Sequence, residues 1–181
     1  CQYNIGNSLY ARRDYDRAIA CWRRALELDP EHPQAHARIA DACWALGRFD
    51  EAERHYRDEL TADPTDLDTR LDLGELLAEA GRDDEAEDEF RGVLERSPDS
   101  PSAHYALGEL ALRRGRAEGA AEQFRLVLQL DRGFAGAHGG LGEALLRLGR
   151  TQQAAVHLLA EARRTEDDAD AMLSLAQLLL E

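Results

Sequence analysis

Hydrophobic positions along the chain recur every three or four residues, in segments separated by glycine or proline. This spacing places apolar side chains on one face of an α-helix. A Gly-Arg dipeptide interrupts the pattern at regular intervals. It occurs at Gly47-Arg48, Gly81-Arg82, Gly115-Arg116 and Gly149-Arg150. Because glycine commonly ends a helix, each interruption predicts a turn between two helices.

The helical pattern repeats with a period of 34 residues, marked by Pro30, Pro64 and Pro98. Two columns of residues align on this period, an alanine column and, four residues later, a column of large apolar residues. Their members are Ala18, Ala52, Ala86, Ala120 and Ala154, and then Trp22, Tyr56, Phe90, Phe124 and Leu158. A small residue one helical turn from a large one lets two helices approach closely, and the large side chain fills the space beside them. Each unit is therefore predicted to be an antiparallel helix pair.

The pattern resembles the tetratricopeptide repeat family along essentially the whole chain. The first unit matches best, with the Leu-Gly-type pair Ile5-Gly6, the small residue Ala18, the aromatic Trp22 and the closing Pro30. The resemblance implies an all-α fold, a right-handed α-solenoid of about five 34-residue helix-turn-helix repeats plus one extra helix. Since one helix pair cannot bury its own apolar surface, we expect each pair to stack on the next.

The period divides the chain into one solenoid without a second domain. The predicted repeats are 1–32, 33–66, 67–100, 101–134 and 135–168, and residues 169–181 are predicted to form the extra helix. The chain starts two residues into a repeat and ends near three consecutive leucines, Leu178 to Leu180, which favours a fragment of a longer protein. An apolar terminal helix needs cover, which a second copy of the chain could provide.

Charge and composition narrow the possible functions. The chain has 22 basic and 36 acidic residues and a formal net charge of −14, which disfavours nucleic acid as a partner. All the basic residues are arginine, so the chemistry of a Schiff-base or P-loop lysine is excluded. No apolar stretch is long enough to predict membrane insertion. The arginine-only basic set, together with many Ala, Gly and Leu residues, indicates a GC-rich, bacterial genome.

Three cysteines without CxxC spacing predict neither a disulfide framework nor a zinc site. They favour a cytoplasmic protein with reduced thiols, although Cys1 leaves a lipoprotein or periplasmic context open.

The candidate catalytic groups form no recognisable catalytic pattern. His36, His104 and His138 share one column, but neighbouring repeats lie about 10 Å apart, too far for these rings to share a metal ion. Segment 133–142, GFAGAHGGLG, is rich in glycine but follows no strand, so a dinucleotide site is not expected. Serine does not occur in a GxSxG motif. The sequence thus predicts a non-catalytic protein with no catalytic, cofactor-binding or metal site.

The resemblance implies that the first helix of each repeat lines a concave groove. Carboxylates in a concave surface attract basic segments, and aromatic residues often anchor interfaces. We therefore predict binding of an extended or helical peptide of basic and apolar character. The predicted contact residues are Asn7, Tyr10, Asp41, Trp44, Glu75, Tyr105, Glu109 and Glu143.

Other interpretations of these positions and of the whole chain remain open. The acidic column could reflect the overall negative charge, and Trp44 could simply pack between repeats. The chain could also be a scaffold module that self-assembles through its terminal helices, or a targeting or regulatory region of a longer, possibly enzymatic protein. Binding of a chaperone tail by a carboxylate clamp is disfavoured because lysine is absent.

Overall fold

The computed structural model describes residues 2–30, 32 and 34–163, which form ten α-helices and no strand. The helices are α1 Gln2–Ala11, α2 Tyr15–Leu28, α3 Ala35–Ala45, α4 Phe49–Ala62, α5 Leu67–Glu79, α6 Asp83–Arg96, α7 Pro101–Arg113, α8 Ala117–Leu130, α9 Ala137–Arg147 and α10 Thr151–Ala162. They form five consecutive helix pairs, which we number repeats 1 to 5. The predicted extra helix at 169–181 and the end of the predicted fifth repeat lie outside the described residues.

The turn inside each repeat is the one that the Gly-Arg pattern predicts. Gly47, Gly81, Gly115 and Gly149 each follow a first helix, with φ angles between +70° and +75°. Glycine adopts this left-handed conformation without the steric penalty of a Cβ atom. In repeat 1 the equivalent position is Arg13, which has a φ of +60°. The predicted helix-turn-helix units are confirmed.

The interior of each repeat is built from the columns seen in the sequence. All five column alanines are fully buried, and the five large residues are at most 5% exposed. The packing leaves no room for a side chain at Gly74, where an added Cβ would lie only 2.4 Å from the Phe90 ring. Gly74 aligns with Gly6 on the 34-residue period, and this position stays small because the aromatic ring already occupies the space that a side chain would need.

The chain divides into two compact units, residues 1–92 and 93–181. In the first unit, α1, α2, α3, α4 and α5 pack in succession along the chain. In the second unit, α7, α8, α9 and α10 do the same. This successive packing is that of an all-α repeat solenoid, as predicted. None of the described helices is both long and apolar enough to cross a membrane.

The first helices of the later repeats begin in two different ways. In repeats 3 and 4, α5 and α7 have 13 residues each. The side chain of Asp66 accepts hydrogen bonds from the Asp68 and Thr69 N–H groups, and Ser100 accepts one from the Ala103 N–H. These are conventional N-caps, in which a side-chain oxygen satisfies a free N–H group.

In repeats 2 and 5, α3 and α9 have only 11 residues each. They follow Gln34 and Gly136, which are left-handed with φ of +62° and +79° and make no side-chain cap. A buried glutamate of the second helix performs this function. Glu59 accepts hydrogen bonds from the Gln34 and Ala37 N–H groups at 2.9 and 3.2 Å. Glu161 accepts one from Gly139 N–H at 3.3 Å.

Candidate peptide-binding site

A cleft of about 450 Å³ lies in the first unit and is lined by residues of α1, α3, α4 and α5. We call it the acidic aromatic pocket. Because the first helices of successive repeats share one register, Tyr10 of α1 and Trp44 of α3, which are 34 residues apart, contribute to one surface. The lining residues are Tyr10, Asp41, Trp44, Ala45, Tyr56, Asp72 and Glu79.

Two of the predicted site residues hold the polar ends of core aromatics. The Asp41 carboxylate accepts a hydrogen bond from the Tyr56 hydroxyl at 2.8 Å and one from Arg38 at 3.2 Å. Burial raises the pKa of Asp41 above its usual value, and these two hydrogen bonds oppose the shift. One repeat earlier, Asn7 accepts a hydrogen bond from Trp22 Nε1 at 3.0 Å. Both side chains therefore help to fix the core.

Asp72 is the carboxylate in the pocket that lacks such a partner. It is half-buried, and no described residue donates a hydrogen bond to it. Burial, together with the nearby charges of Asp41 and Glu75, raises the pKa of Asp72 to about 7. A cation that enters the pocket would stabilise the ionised form of Asp72. A cationic group is therefore a favourable partner for this carboxylate.

Two aromatic side chains form the walls beside these carboxylates. Trp44 is half-buried, donates a hydrogen bond from Nε1 to Glu79 at 2.7 Å and meets the Tyr56 ring edge-on at 6.4 Å. Tyr10 lies 5.9 Å from the Trp22 ring and is also half-buried. Each ring thus packs on the core with one part and remains accessible in the pocket with another.

Glu75 is exposed on α5 and does not line the pocket. The neighbouring protein atoms still displace part of the water around its carboxyl group, and this desolvation raises the pKa of Glu75. Its charge acts on Asp72, so it adds to the negative potential at the pocket.

The predicted residues of the second unit make other contacts. Tyr105 packs against Phe124 at 5.5 Å and against Phe134 at 5.2 Å. Burial and the adjacent Glu109, which accepts a hydrogen bond from the hydroxyl, raise the pKa of Tyr105 to about 12. Glu143 pairs with Arg147. Burial raises the pKa of Glu109, and the negative charge of Glu143 adds to this shift.

The pocket therefore brings together three of the eight predicted residues, Tyr10, Asp41 and Trp44. Sequence reasoning missed Asp72 and Glu79. They lie three residues before and four residues after Glu75, a spacing that puts all three on one helix face and could have identified them. Tyr56 was predicted to be a core residue, and its ring is fully buried, yet it also borders the pocket.

A second cluster of polar side chains lies within repeat 2. The Nδ1 atoms of His36 and His55 are 2.9 Å apart, and the Asp58 carboxylate lies beside both. Burial, followed by the effect of His36, lowers the pKa of His55 to about 4, so its ring is neutral at pH 7. Sequence reasoning tested the first-helix histidine column for a shared metal ion and set aside His32, His55 and His157 because no Cys, Asp or Glu partner recurs at ligand spacing, so it missed this pairing. The recurrence of His-His at a spacing of 19 residues, at 36/55 and 138/157, was the available signal.

Comparisons with known proteins agree with this architecture. The tetratricopeptide repeat family matches residues 3–66 and 71–135, and a second model of the same repeat matches 135–160. A comparison with curated protein sequences gives no match.

Three solved structures illustrate the similarity of fold. MamA from Desulfovibrio magneticus RS-1 is 20% identical, with 92% of this chain and 95% of that chain covered and a TM-score of 0.80. TTC0263, a thermophilic TPR protein of Thermus thermophilus, is 22% identical, with 99% and 98% covered and a TM-score of 0.73. YrrB, described as a TPR protein with an unusual peptide-binding site, is 22% identical, with 97% and 88% covered and a TM-score of 0.72.

At these identities the solved structures establish the fold alone, whereas the family match spans most of the chain. Tetratricopeptide repeat proteins are in general non-catalytic scaffolds for protein–protein interaction. The helix pairs, their 34-residue period and the family match lead to one conclusion: this chain belongs to the tetratricopeptide repeat family.

Proposed function

We propose that this chain binds an extended or helical peptide of basic and apolar character, and that the acidic aromatic pocket receives an arginine or lysine side chain of that peptide. The observation that carries the proposal is Asp72, a half-buried carboxylate without a hydrogen-bond donor, beside the carboxylates of Asp41 and Glu79. A cationic group is the chemical partner that such an arrangement favours.

The aromatic residues give the pocket a second source of affinity. A guanidinium or ammonium group over the Trp44 or Tyr10 ring would gain a cation–π interaction of about 0.5–2 kcal/mol. Apolar side chains of the peptide would pack beside the same rings, which are rigid and already partly buried. The described peptide-binding site of YrrB shows that this fold can present a peptide site in another protein.

The remaining predicted residues are assigned roles within their own unit. Glu75 is proposed to strengthen the attraction at the pocket, while Glu109 and Glu143 are proposed to attract basic residues in the second unit. Asn7 and Tyr105 are proposed as weaker contributors, because both are engaged in packing. Self-assembly through residues 169–181 concerns a segment outside the described residues.

Fluorescence anisotropy with a labelled Leu-Arg-Ala-Leu-Arg-Ala-Leu peptide tests the proposal. We expect Asp72→Asn to weaken binding about tenfold, the size of a lost charge-assisted contact. The matched control is Asp50→Asn, which removes an exposed carboxylate of α4 away from the pocket. Equal affinity for the wild type and Asp72→Asn would contradict the proposal, and so would equal capture of a peptide with glutamate in place of arginine.

The pH dependence of binding gives an independent test. Because the pKa of Asp72 is about 7, a cation that binds below pH 7 must displace a proton from this carboxyl group. Affinity should therefore rise from pH 6 to about pH 7 and level off above it. The Asp72→Asn variant should lack this rise, and a pH profile shared by both proteins would argue against the role of Asp72.

The stability of the protein without peptide tests the raised pKa of Asp72 independently of binding. Since the folded-state pKa of Asp72 is raised from 3.8 to about 7, the wild type should lose stability relative to Asp72→Asn as pH rises through that interval. Urea unfolding at pH 4 and pH 8 should show Asp72→Asn gaining stability only at the higher pH. A variant less stable than the wild type at pH 8 would contradict the assigned shift.

A further inference from the structure

We propose that His36, His55 and Asp58 form a binding site for one divalent transition-metal ion of the Zn²⁺ class. His36 lies on α3, and the other two residues lie one helical turn apart on α4. The site therefore joins the two helices of repeat 2. It is separate from the acidic aromatic pocket and shares no lining residue with it.

The separations of the donor atoms fit a tetrahedral ion after small side-chain rotations. His36 Nδ1 lies 2.9 Å from His55 Nδ1 and 3.8 Å from an Asp58 oxygen, and that oxygen is 4.0 Å from His55 Nδ1. Zinc bonds of about 2.0–2.1 Å at tetrahedral angles place donor atoms about 3.3 Å apart. The three separations lie on both sides of this value, and the exposed Asp58 side chain is free to adjust.

The ligand set also indicates the class of metal. Two imidazole nitrogens and one carboxylate suit Zn²⁺, Co²⁺ or Ni²⁺ better than Ca²⁺ or Mg²⁺, which prefer oxygen ligands. Three protein ligands would leave a fourth position for water. His36 borders a cleft of about 840 Å³ that is also lined by Asp63, Asp66 and Asp68, so its acidic walls favour the approach of a cation.

Repeat 5 contains a natural counterpart without the carboxylate. His138 Nδ1 and His157 Nδ1 are also 2.9 Å apart, so one ring nitrogen can donate a hydrogen bond to the other in both repeats. The residue three positions after His157 is Ala160, where repeat 2 has Asp58. The third ligand, rather than the histidine pair alone, distinguishes the proposed metal site.

One feature of the site limits its affinity. The Nε2 atom of His55 is buried and has no hydrogen-bond partner among the described residues. Coordination through Nδ1 would leave the proton on that nitrogen, whereas metal-binding histidines usually donate their second N–H to an acceptor. We therefore expect weaker binding than in structural zinc sites with four ligands.

Two measurements on the full chain test the site. They are isothermal titration calorimetry with zinc chloride and the visible absorption spectrum of a cobalt-loaded sample. We expect one ion for each chain and a tetrahedral cobalt spectrum. Asp58→Asn should lower the affinity at least about tenfold, the scale at which even outer ligand contacts act. His55→Gln should do the same, and it should fold, because repeat 4 already pairs His104 with Gln123 at 2.7 Å.

His138→Gln is the matched control, since it removes the same histidine type from repeat 5 and should leave zinc affinity unchanged. An unaltered affinity in Asp58→Asn, a loss in His138→Gln alone, or an absence of zinc binding would each overturn the proposal. Circular dichroism checks that each variant is folded.

A gain-of-binding variant tests the deciding role of the carboxylate. Ala160→Asp restores the third ligand beside His138 and His157, so the number of bound zinc ions should rise from one to two. A ratio that stays at one would overturn the conclusion that the carboxylate separates the two histidine pairs.

Discussion

Repeats 2 and 5 begin their first helices in the same way, and both differ from repeats 3 and 4. Their first helices are two residues shorter, follow a left-handed residue and are capped by a buried glutamate from the second helix. The equivalents of Glu59 in repeats 3 and 4 are Val93 and Val127, both buried. Among these four first helices, a buried carboxylate thus occurs where the side-chain N-cap is missing, because the free N–H groups still need an acceptor.

The reason lies in the residues that replace the conventional caps. Where repeats 3 and 4 have Asp66 and Ser100, repeats 2 and 5 have His32 and Phe134. These rings pack against tyrosines of the preceding repeat, His32 on Tyr3 at 4.4 Å and Phe134 on Tyr105 at 5.2 Å. The loop thereby gains an aromatic contact, and the helix starts two residues later.

The two repeats then differ at single positions. The left-handed residue is Gln34 in one and Gly136 in the other, and the residue three positions after the second histidine of the pair is Asp58 in one and Ala160 in the other. The helix-start arrangement is therefore shared by repeats 2 and 5, while individual side chains decide what each copy can bind and how strained its loop is.

The largest expected effect comes from removing the glutamate cap. Glu59→Val places in repeat 2 the residue that repeat 3 has, but without the Asp66 cap that accompanies it there. Two N–H groups then lose their acceptor, so we expect the free energy of unfolding to fall by about 2 kcal/mol. Urea denaturation measures the loss, and amide exchange at Gln34 and Ala37 should show that α3 frays first.

Glu59→Gln keeps an oxygen acceptor and should cost less than the valine variant. If Glu59→Val were as stable as the wild type, the glutamate would not be the cap of α3, and the similarity between repeats 2 and 5 would be only apparent.

A smaller effect is expected from Gly136→Ala in repeat 5. Its φ of +79° disfavours a residue with a Cβ atom, and the new Cβ would lie 2.7 Å from the Tyr105 hydroxyl oxygen. We expect a loss of about 1–2 kcal/mol in unfolding free energy.

A double-mutant cycle with Tyr105→Phe separates the two causes. In the Tyr105→Phe background, Gly136→Ala should cost less stability, because the contact with the hydroxyl is gone and the backbone strain remains. A coupling energy of zero would show that the Tyr105 hydroxyl does not restrict this position.

The smallest effect is expected from Gln34→Gly, which gives repeat 2 the residue of repeat 5. Relief of the left-handed strain at φ +62° should outweigh the extra freedom of glycine in the unfolded chain, for a net gain of about 0.5 kcal/mol. Thermal unfolding at fixed pH measures this change. A destabilised variant would mean that the Gln34 side chain contributes contacts that outweigh its backbone strain.

Much of the fold was predictable because its signals are local and repeated. The Gly-Arg dipeptides give the turns inside the repeats, and the columns of Ala18 and Trp22 give the buried faces. The different starts of α3 and α5 were not predicted, because the acceptor for α3 comes from Glu59, 25 residues from Gln34 along the chain.

The candidate site was predictable only in part. Tyr10, Asp41 and Trp44 follow from the register of the first helices, and the structure places all three in one pocket. The unpartnered state of Asp72 was not accessible in the same way. It depends on which carboxylates already have donors, and Asp41 has one in Tyr56 of the second helix.

By itself the sequence determined the helix pairs, their period and the faces that they bury, since these depend on the spacing of small and large residues within a few turns. Only the tertiary structure decided which polar groups meet across helices. It left Asp72 without a hydrogen-bond donor, placed Glu59 as the cap of α3 and brought His36 and His55 into contact. Each of these features depends on distances between residues on different helices.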